Sequence, residues 1–234
     1  MNKYIIIRRA ALALLLLVTF LSAATSHAKD QFEMRLNGAA ALSLAEYWKA
    51  TFSVESSFDE DGDKKQHYSD LGFVYTRIAD WFDVGANYRS VYNRLYEDIW
   101  INENRYYLNF IGRHRLFNIG FNHRIRMEYS QLDADRIDDF GTFRYRISVN
   151  PPFEYDMSRE RLILNDYTVR PYGSYEIALD TSDDAISSHT GKVGLSSILS
   201  EKVVANIYYS YAKRLSDYVE GDLHATGLEI TLIY

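Results

Sequence analysis

The sequence predicts an all-β fold, an antiparallel up-and-down transmembrane β-barrel of ten to twelve strands. Apolar and polar residues alternate in repeated rows along the chain, and a period of two is what a pleated strand imposes. The rows run for about ten to thirteen residues, which suits a tilted strand that crosses a bilayer. After residue 28 there is no run of about 18 apolar residues, so the sequence predicts no helical span.

Residues 1 to 28 have the pattern of a cleaved signal peptide. A positive segment precedes an apolar run from residue 10 to 24, and residues 26 to 28 supply a small-x-small cleavage site. A retained membrane anchor is the alternative, which we disfavour because the apolar core is short and leads straight into the cleavage site. Residues 29 to 234 would then form one barrel domain, with Lys29 as the first mature residue.

The composition excludes several classes of protein. Removing Lys3, Arg8 and Arg9 with the leader leaves 23 Lys and Arg against 32 Asp and Glu, a net charge of −9 instead of −6. That balance argues against a nucleic-acid binder. The chain has no cysteine, so disulfides and thiolate-bound metals are excluded. Its 20 Tyr and 3 Trp suit the aromatic girdles of a membrane barrel.

The clearest alternating row runs from residue 117 to 129. Six apolar or aromatic residues face one way, and Asn, Gly, Arg and Glu face the other. The remaining rows cover 48–58, 68–79, 82–92, 104–113, 139–149, 167–179, 189–199 and 202–212. A soluble lipocalin-like barrel is the alternative, but soluble strands average about five or six residues. A polar interior and an apolar exterior is therefore the more economical interpretation.

The last row ends the chain on an aromatic residue. Leu228, Ile230, Leu232 and Tyr234 share one face, which we expect to point outward. This ending resembles the carboxy-terminal signature of bacterial outer-membrane β-barrels. The resemblance implies a Gram-negative outer membrane, contact with its lipid and lipopolysaccharide, and recognition of the last strand by the barrel-assembly machinery.

The connections between rows alternate in length. Short turns are predicted at 79–80, 113–116 and 200–202, and longer, mostly acidic loops at 59–67, 93–103, 130–138, 180–188 and 214–222. Short periplasmic turns and long external loops are usual in such barrels, which gives ten strands from Tyr47 to Tyr234. A further row at Phe32, Met34 and Leu36 makes eleven, an odd number. Residues 150 to 166 hold either a twelfth strand or a long inner turn, and the sequence leaves both open.

Several short motifs carry a family resemblance. They are Trp48-Lys49 entering a strand that ends near Glu55, Arg144-Tyr145-Arg146, and Arg170-Pro171-Tyr172 followed by Tyr175-Glu176. Together they resemble a bacterial outer-membrane β-barrel family known only as a domain of unknown function. The resemblance implies the barrel and its location, and it implies no activity.

We expect no catalytic site, metal site or cofactor. The His-x-Ser-Asn motif of outer-membrane phospholipases does not occur, and Ser187, Ser188 and His189 are predicted to lie in a loop. The other histidines lack metal-ligand spacing. Asp59, Asp61 and Asp63 begin like a calcium loop, but Lys64 stands where that loop needs Gly, so a solvated acidic loop is expected.

The polar face of the strands is where a function could reside. Strand parity sends ten basic and five acidic side chains into the lumen, although the mature chain is acidic. The basic residues are Lys49, Arg89, Arg105, Arg113, Arg124, Arg126, Arg144, Arg146, Arg170 and Lys192, and the acidic ones are Glu55, Asp83, Glu128, Glu176 and Glu229. Arg124 and Arg126 are predicted to lie on the strand beside Arg144 and Arg146, so four guanidinium groups would form one wall.

Two functions fit this Arg-rich lumen about equally. One is a narrow porin-like path for anions or acidic oligosaccharides, in which guanidinium forks bind carboxylate or phosphate groups. The other is a non-conducting structural or adhesive surface barrel, with an interior filled by paired side chains and acidic external loops. A lipid-modifying enzyme is a third and weaker possibility.

Overall fold

A computed structural model describes residues 31–96, 99–133, 139–151, 155–156, 168–181, 185–215 and 222–234. The predicted signal peptide and Lys29 lie outside these ranges. Among the described residues, no helix is long and apolar enough to span a membrane.

The described chain is built from strands, and long alternating rows account for all but one of them. The strands are β1 (Gln31–Ala45), β2 (Trp48–Phe58), β3 (Lys64–Ala79), β4 (Phe82–Tyr96), β5 (Ile99–Leu116), β6 (Ile119–Leu132), β7 (Phe140–Asn150), β8 (Tyr155–Asp156), β9 (Thr168–Asp180), β10 (Ala185–Ser200), β11 (Val203–Arg214) and β12 (Leu223–Ile233). The exception is β8, which has two residues and pairs with the start of β9.

The other eleven strands close into a barrel. Each long strand pairs antiparallel with the next one along the chain, and β7 pairs directly with β9. The barrel closes where β1 pairs with β12 in parallel, from Gln31 opposite Leu223 to Ala41 opposite Ile233. The prediction of an all-β barrel is confirmed. An odd number of strands is possible because the closing pair is parallel, so the barrel is not antiparallel throughout.

One predicted turn is wrong. β5 continues through residues 113 to 116, and the turn consists of Phe117 and Asn118, whose φ angles are 50° and 63°. Two successive positive φ angles are typical of the tight hairpin turn that matches strand twist, and Gly or Asn normally occupies both positions. Of the two turn residues, only Asn118 is of a type that favours a positive φ. Phe117 instead fits the apolar row that follows, so the sequence does not predict a turn there.

The loops are shorter than the sequence predicts. Most of the predicted loop at 93–103 is strand, because β4 extends to Tyr96 and β5 begins at Ile99. Ser187, Ser188 and His189, predicted in a loop, lie in β10. Backbone pairing continues where alternation fades, which is expected where a strand leaves the membrane and both of its faces meet water.

The two faces of the barrel have opposite chemistry. Large apolar side chains such as Leu71, Phe73 and Met127 are about half exposed on the outside. Asp70, Glu128 and Ser130 are buried inside. On β12, Leu228, Ile230 and Tyr234 are exposed, and Leu232 is half-buried on the same face. An apolar exterior around a polar interior is the arrangement of a membrane barrel and the inverse of a soluble one.

Aromatic residues mark the two rims. Trp48 and Trp81 lie beside short turns, where Trp48 packs against Tyr75 with ring centroids 5.1 Å apart. Trp100 lies at the other rim, near the start of β5. Tyr and Trp concentrate at membrane interfaces because they combine an apolar ring with a polar tip. The rims are therefore placed to meet the two interfaces of a bilayer.

The acidic loop between β2 and β3 is held by an arginine. Arg94 on β4 binds Asp59 at 2.5 Å and Asp63 at 3.4 Å, and the Asp63 amide donates to the Asp59 carboxylate at 2.9 Å. In the part of the chain that the structure describes, no cluster of His, Asp or Glu has the arrangement of a metal site.

Candidate functional site

All eleven barrel strands contribute side chains to one internal cavity of about 400 Å³. Six of the predicted lumen arginines line it: Arg89, Arg105, Arg124, Arg126, Arg144 and Arg146. Arg113 and Arg170 lie nearer the rim of short turns, where they line a separate cavity. The eight predicted arginines therefore all lie in the lumen, six at mid-lumen and two nearer the short-turn rim.

Glu128 on β6 is the centre of one ion-pair cluster. Its carboxylate accepts Arg144 at 3.4 Å, Arg126 at 3.6 Å and Arg105 at 3.7 Å. Arg105 also binds Glu103 through two parallel contacts of 2.7 Å. Such two-pronged pairs are among the stronger charge-assisted hydrogen bonds. Two buried carboxylates therefore bind three arginines, which leaves one net positive charge in the cluster.

The four-arginine wall exists and is partly neutralised. Arg124 lies directly opposite Arg146 across β6 and β7, and Arg126 lies opposite Arg144. Like charges at directly opposite positions destabilise a sheet. Glu176 on the next strand offsets this repulsion, because it binds Arg124 at 2.6 Å and Arg144 at 3.5 Å.

Asp70 on β3 organises a second cluster. It accepts Arg89 at 2.8 Å, Asn87 at 3.0 Å and the Tyr107 hydroxyl. Arg126 lies over the Tyr107 ring at 3.9 Å and donates to Asn109 at 3.0 Å, which joins the two clusters. Asp70 is not among the lumen residues predicted from the sequence, although it lies two residues from Tyr68 and Gly72 on the polar face of its strand.

Four further charges near the long-loop rim were also absent from the predicted lumen. Glu33 binds Arg35 at 2.9 Å and Lys65 at 3.0 Å, and Glu103 lies in the region predicted as a loop. Glu33, Asp70 and Glu103 add three acids to the predicted set, and Arg35 and Lys65 add two bases.

Two of the eight cations that line the mid-lumen cavity differ from the other six, each of which has a carboxylate partner. Among the described residues, neither Arg146 nor Lys192 has a carboxylate partner in an ion pair. The Arg146 Nε is buried without a hydrogen-bond partner, as are those of Arg124 and Arg144, and the Lys192 ammonium lies 3.9 Å over the Tyr208 ring. Burying a cation without an opposite charge is costly, so these two positions are where the lumen best accommodates an anion.

Arg146 and Lys192 lie where two cavities meet. With Ser174 and Glu229 they line both the cavity of about 400 Å³ and a second one of about 410 Å³. The second cavity shares Asn122, Asn150, Pro151 and Arg170 with a third of about 830 Å³. Asp80, Trp81 and Asn118 of the short turns line this third cavity. Within the described residues, the cavities form a series from mid-lumen to the short-turn rim.

Gly227 on β12 allows the Tyr208 ring to pack closely against the backbone of this strand. A Cβ at residue 227 would come within 2.2 Å of the end of the Tyr208 ring, so any larger residue there would require this ring to shift. In this position the Tyr208 ring lies under the Lys192 ammonium, 3.9 Å from it.

Histidines on the outer face have hydroxyl partners on the neighbouring strand. Tyr145 lies 2.7 Å from His123, Tyr175 lies 2.8 Å from His189, and Tyr209 lies 2.6 Å from His224. Ser56 lies 3.0 Å from His67, a pair that the sequence analysis did not find. A nucleophilic serine needs a base that a third group orients, and no contact of His67 with a side-chain carboxylate is present among the described residues. These pairs are best interpreted as satisfied polar groups on an apolar surface.

The geometry matches solved barrels. LpxR from Salmonella typhimurium superimposes with a TM-score of 0.50 at 7% identity, over 84% of this chain and 87% of that one. The fold is that of an outer-membrane β-barrel. The β domain of the Bordetella autotransporter BrkA aligns with a TM-score of 0.43 at 13% identity, over 77% of this chain and 81% of that one. No protein-family model and no curated protein matches the chain, so the resemblance to one particular family stays a prediction.

Proposed function

We propose that this chain is a narrow outer-membrane channel that favours small anions. The observation that carries the proposal is the pair Arg146 and Lys192, two lumen cations without a carboxylate partner among the described residues. They lie at the junction of two cavities, where a permeating ion would have to pass.

Charge in a confined lumen acts strongly on passing ions. Two unit charges 4 Å apart interact by about 4 kcal/mol at an effective dielectric constant of 20, against about 1 kcal/mol in bulk water. Among the described residues that line both cavities, Glu229 is the one carboxylate, and Asn206 donates to it at 3.4 Å. Anions are therefore favoured over cations at this level.

The width of the lumen restricts the solute. The clusters centred on Glu128 and Asp70 hold arginine side chains across the cavity at mid-lumen. An extended acidic oligosaccharide would have to displace several of these ion pairs, so we assign the path to small anions. The same proposal includes contact of the barrel exterior with outer-membrane lipid and lipopolysaccharide. It also includes recognition of β12 by the barrel-assembly machinery.

A closed structural barrel is the second candidate. The ion-pair clusters favour it, because six of the eight predicted lumen arginines have carboxylate partners: Arg89, Arg105, Arg113, Arg124, Arg126 and Arg144. A barrel of this size lies just above the size that side chains fill completely. The acidic loops at the long-loop rim would then carry the surface function.

Conductance in planar bilayers separates the two candidates. If the barrel is a channel, the current should change in discrete steps. In a KCl gradient, the sign of the reversal potential should show that chloride permeates more readily than potassium. Replacing both Arg146 and Lys192 by Gln should reduce the anion preference by several-fold. The control for each single replacement is Lys213→Gln, which removes one charge from an exposed position on the outer face. Absence of any conductance would refute the channel and leave the closed barrel.

A further inference from the structure

We infer that the second cavity is a binding site for a small dianion that carries carboxylate or phosphate groups. The inference rests on the proposed function only in using the same two cations, since binding requires no passage through the lumen.

The charge of the site matches two negative charges, because its described lining holds three cations, Arg146, Arg170 and Lys192, and one carboxylate, Glu229. Arg146 and Lys192 line the cavity from β7 and β10, strands that flank β9 on either side. The Arg146 guanidinium is a planar fork that fits a carboxylate or phosphate. Lys192 supplies a point charge with three donors. A ligand that contacts both cations would therefore carry two anionic oxygens or groups.

Apart from Arg170, the remaining described lining is rich in neutral donors. Ser148, Ser174, Asn122 and the Tyr172 hydroxyl lie around the cavity, and Pro151 and Pro171 are the apolar residues among the described ones that line it. Hydroxyl and amide groups hydrogen-bond anionic oxygens without adding a charge that must be neutralised when the site is vacant. The chemistry therefore suits a hydrophilic anion and not a lipid chain.

Glu229 makes the two sides of the cavity different in charge. Its carboxylate accepts Asn206 and Thr231, both at 3.4 Å, and it is the sole carboxylate in the described lining. Because it repels anions, a dianion should bind toward Arg146, on the side away from β12. Replacement of Glu229 should therefore tighten binding.

Size and access limit the ligand further. The cavity of about 410 Å³ equals roughly fourteen water volumes of about 30 Å³ each, which suits a small molecule and not a polymer. It continues into the cavity at the short-turn rim, whose described lining holds Arg113, Arg115 and Arg170 against Asp80, with Asp83 bound to Arg113. A basic entrance raises the local concentration of anions. We therefore expect entry from the short-turn end.

Binding can be tested with the purified barrel in detergent by isothermal titration calorimetry. The probes are succinate for a dicarboxylate, inorganic phosphate for a phosphoryl group, acetate for a single charge, and glucose as a neutral control. We expect succinate or phosphate to bind at least tenfold more tightly than acetate, and glucose not to bind. The relative affinities of the two dianions identify the preferred group.

Variants locate the site. Arg146→Gln and Lys192→Gln should each weaken dianion binding by at least fivefold, Glu229→Gln should strengthen it, and Lys213→Gln should leave it unchanged. Arg146→Lys retains the charge and should recover part of the affinity if Arg146→Gln folds poorly. Equal affinity for acetate and succinate, or equal binding by Arg146→Gln and Lys213→Gln, would overturn the inference.

The channel and the binding site fail in different ways. A barrel that binds succinate but never conducts keeps the site and loses the channel. A barrel that conducts chloride selectively but does not distinguish succinate from acetate keeps the channel and loses the site. If both hold, succinate added at the short-turn side should reduce chloride conductance in proportion to occupancy, and Arg146→Gln should abolish this block.

Discussion

Arg124 and Arg146 lie directly opposite each other across β6 and β7, and only Arg124 has a carboxylate partner among the described residues. Glu176 binds Arg124 at 2.6 Å, whereas Arg146 has no carboxylate within ion-pair distance among the described residues. The same carboxylate also binds Arg144 at 3.5 Å, so one negative charge contacts two of the four wall arginines.

Glu176→Gln should therefore destabilise the barrel and increase its anion selectivity. Removing one partner of a buried ion pair costs about 3–5 kcal/mol, and partial exposure of these side chains lowers our expectation to about 1–3 kcal/mol. The midpoint of guanidinium unfolding in lipid vesicles measures the first effect, and reversal potential the second. Glu46→Gln, in an exposed turn, is the matched control and should change stability by less than about 0.5 kcal/mol.

Gly227→Ala should destabilise the barrel by about 1–3 kcal/mol, because the new methyl group would overlap the Tyr208 ring. Tyr208→Leu in the same chain should recover most of the loss. Gly112→Ala is the control, since a Cβ at that position meets no atom within 4 Å. Equal losses at residues 112 and 227, measured by the same unfolding assay, would contradict the predicted overlap.

The outward face of β12 can be tested by charge. Leu228→Arg should cost about 2–4 kcal/mol if residue 228 lies near the bilayer midplane. Glu229→Gln, one residue further along and facing the lumen, should alter ion selectivity with little change in stability. A larger stability loss at residue 229 than at 228 would reverse our assignment of the two faces.

The parallel closure predicts a specific cross-link. Ala39 on β1 is the register partner of Thr231 on β12, and the chain has no native cysteine. Ala39→Cys with Thr231→Cys should form a disulfide on oxidation, since paired strands bring Cα atoms within the range of about 4.4–6.8 Å that a disulfide spans. Ala39→Cys with Glu229→Cys is two residues out of register and should react poorly. If β1 lay outside the barrel, neither pair would form.

Phe117 is a candidate for stabilisation. It is 88% exposed and adopts a left-handed φ of 50°, a conformation that a bulky residue disfavours. Phe117→Asn should raise stability by up to about 1 kcal/mol, because Asn tolerates this conformation. Thermal unfolding measures the gain. A loss would show that the exposed ring contributes contacts with the membrane interface that outweigh the strain.

The sequence predicted the barrel because alternation is a local property. Leu228 and Ile230 must share a face on any strand, and the alternating burial along β6 follows the same rule. Strand direction is different, since a row alternates in the same way whether its partner runs parallel or antiparallel. The pairing of β1 with β12 was therefore not readable from the residues.

The ion pairs could not be predicted from the sequence, for a different reason. Parity placed Arg89 and Arg126 inside, but Asp70 and Tyr107 meet across β4, so their contact depends on the curvature of the wall. Glu103 was missed because its segment looked like a loop. Counting charges therefore predicted a basic lumen, whereas the distances leave Arg146 and Lys192 without a carboxylate partner among the described cations that line the mid-lumen cavity.

The seam between β1 and β12 also has a kinetic consequence. The other contacts between barrel strands join consecutive long strands, so they can form as a series of local hairpins. Gln31 and Leu223 are separated by most of the chain, and joining them carries the largest loop-closure entropy in the fold. The cylinder can be completed only after its final strand is in place. Until then, two unpaired edges, one at each end of the growing sheet, are available to any strand that meets them.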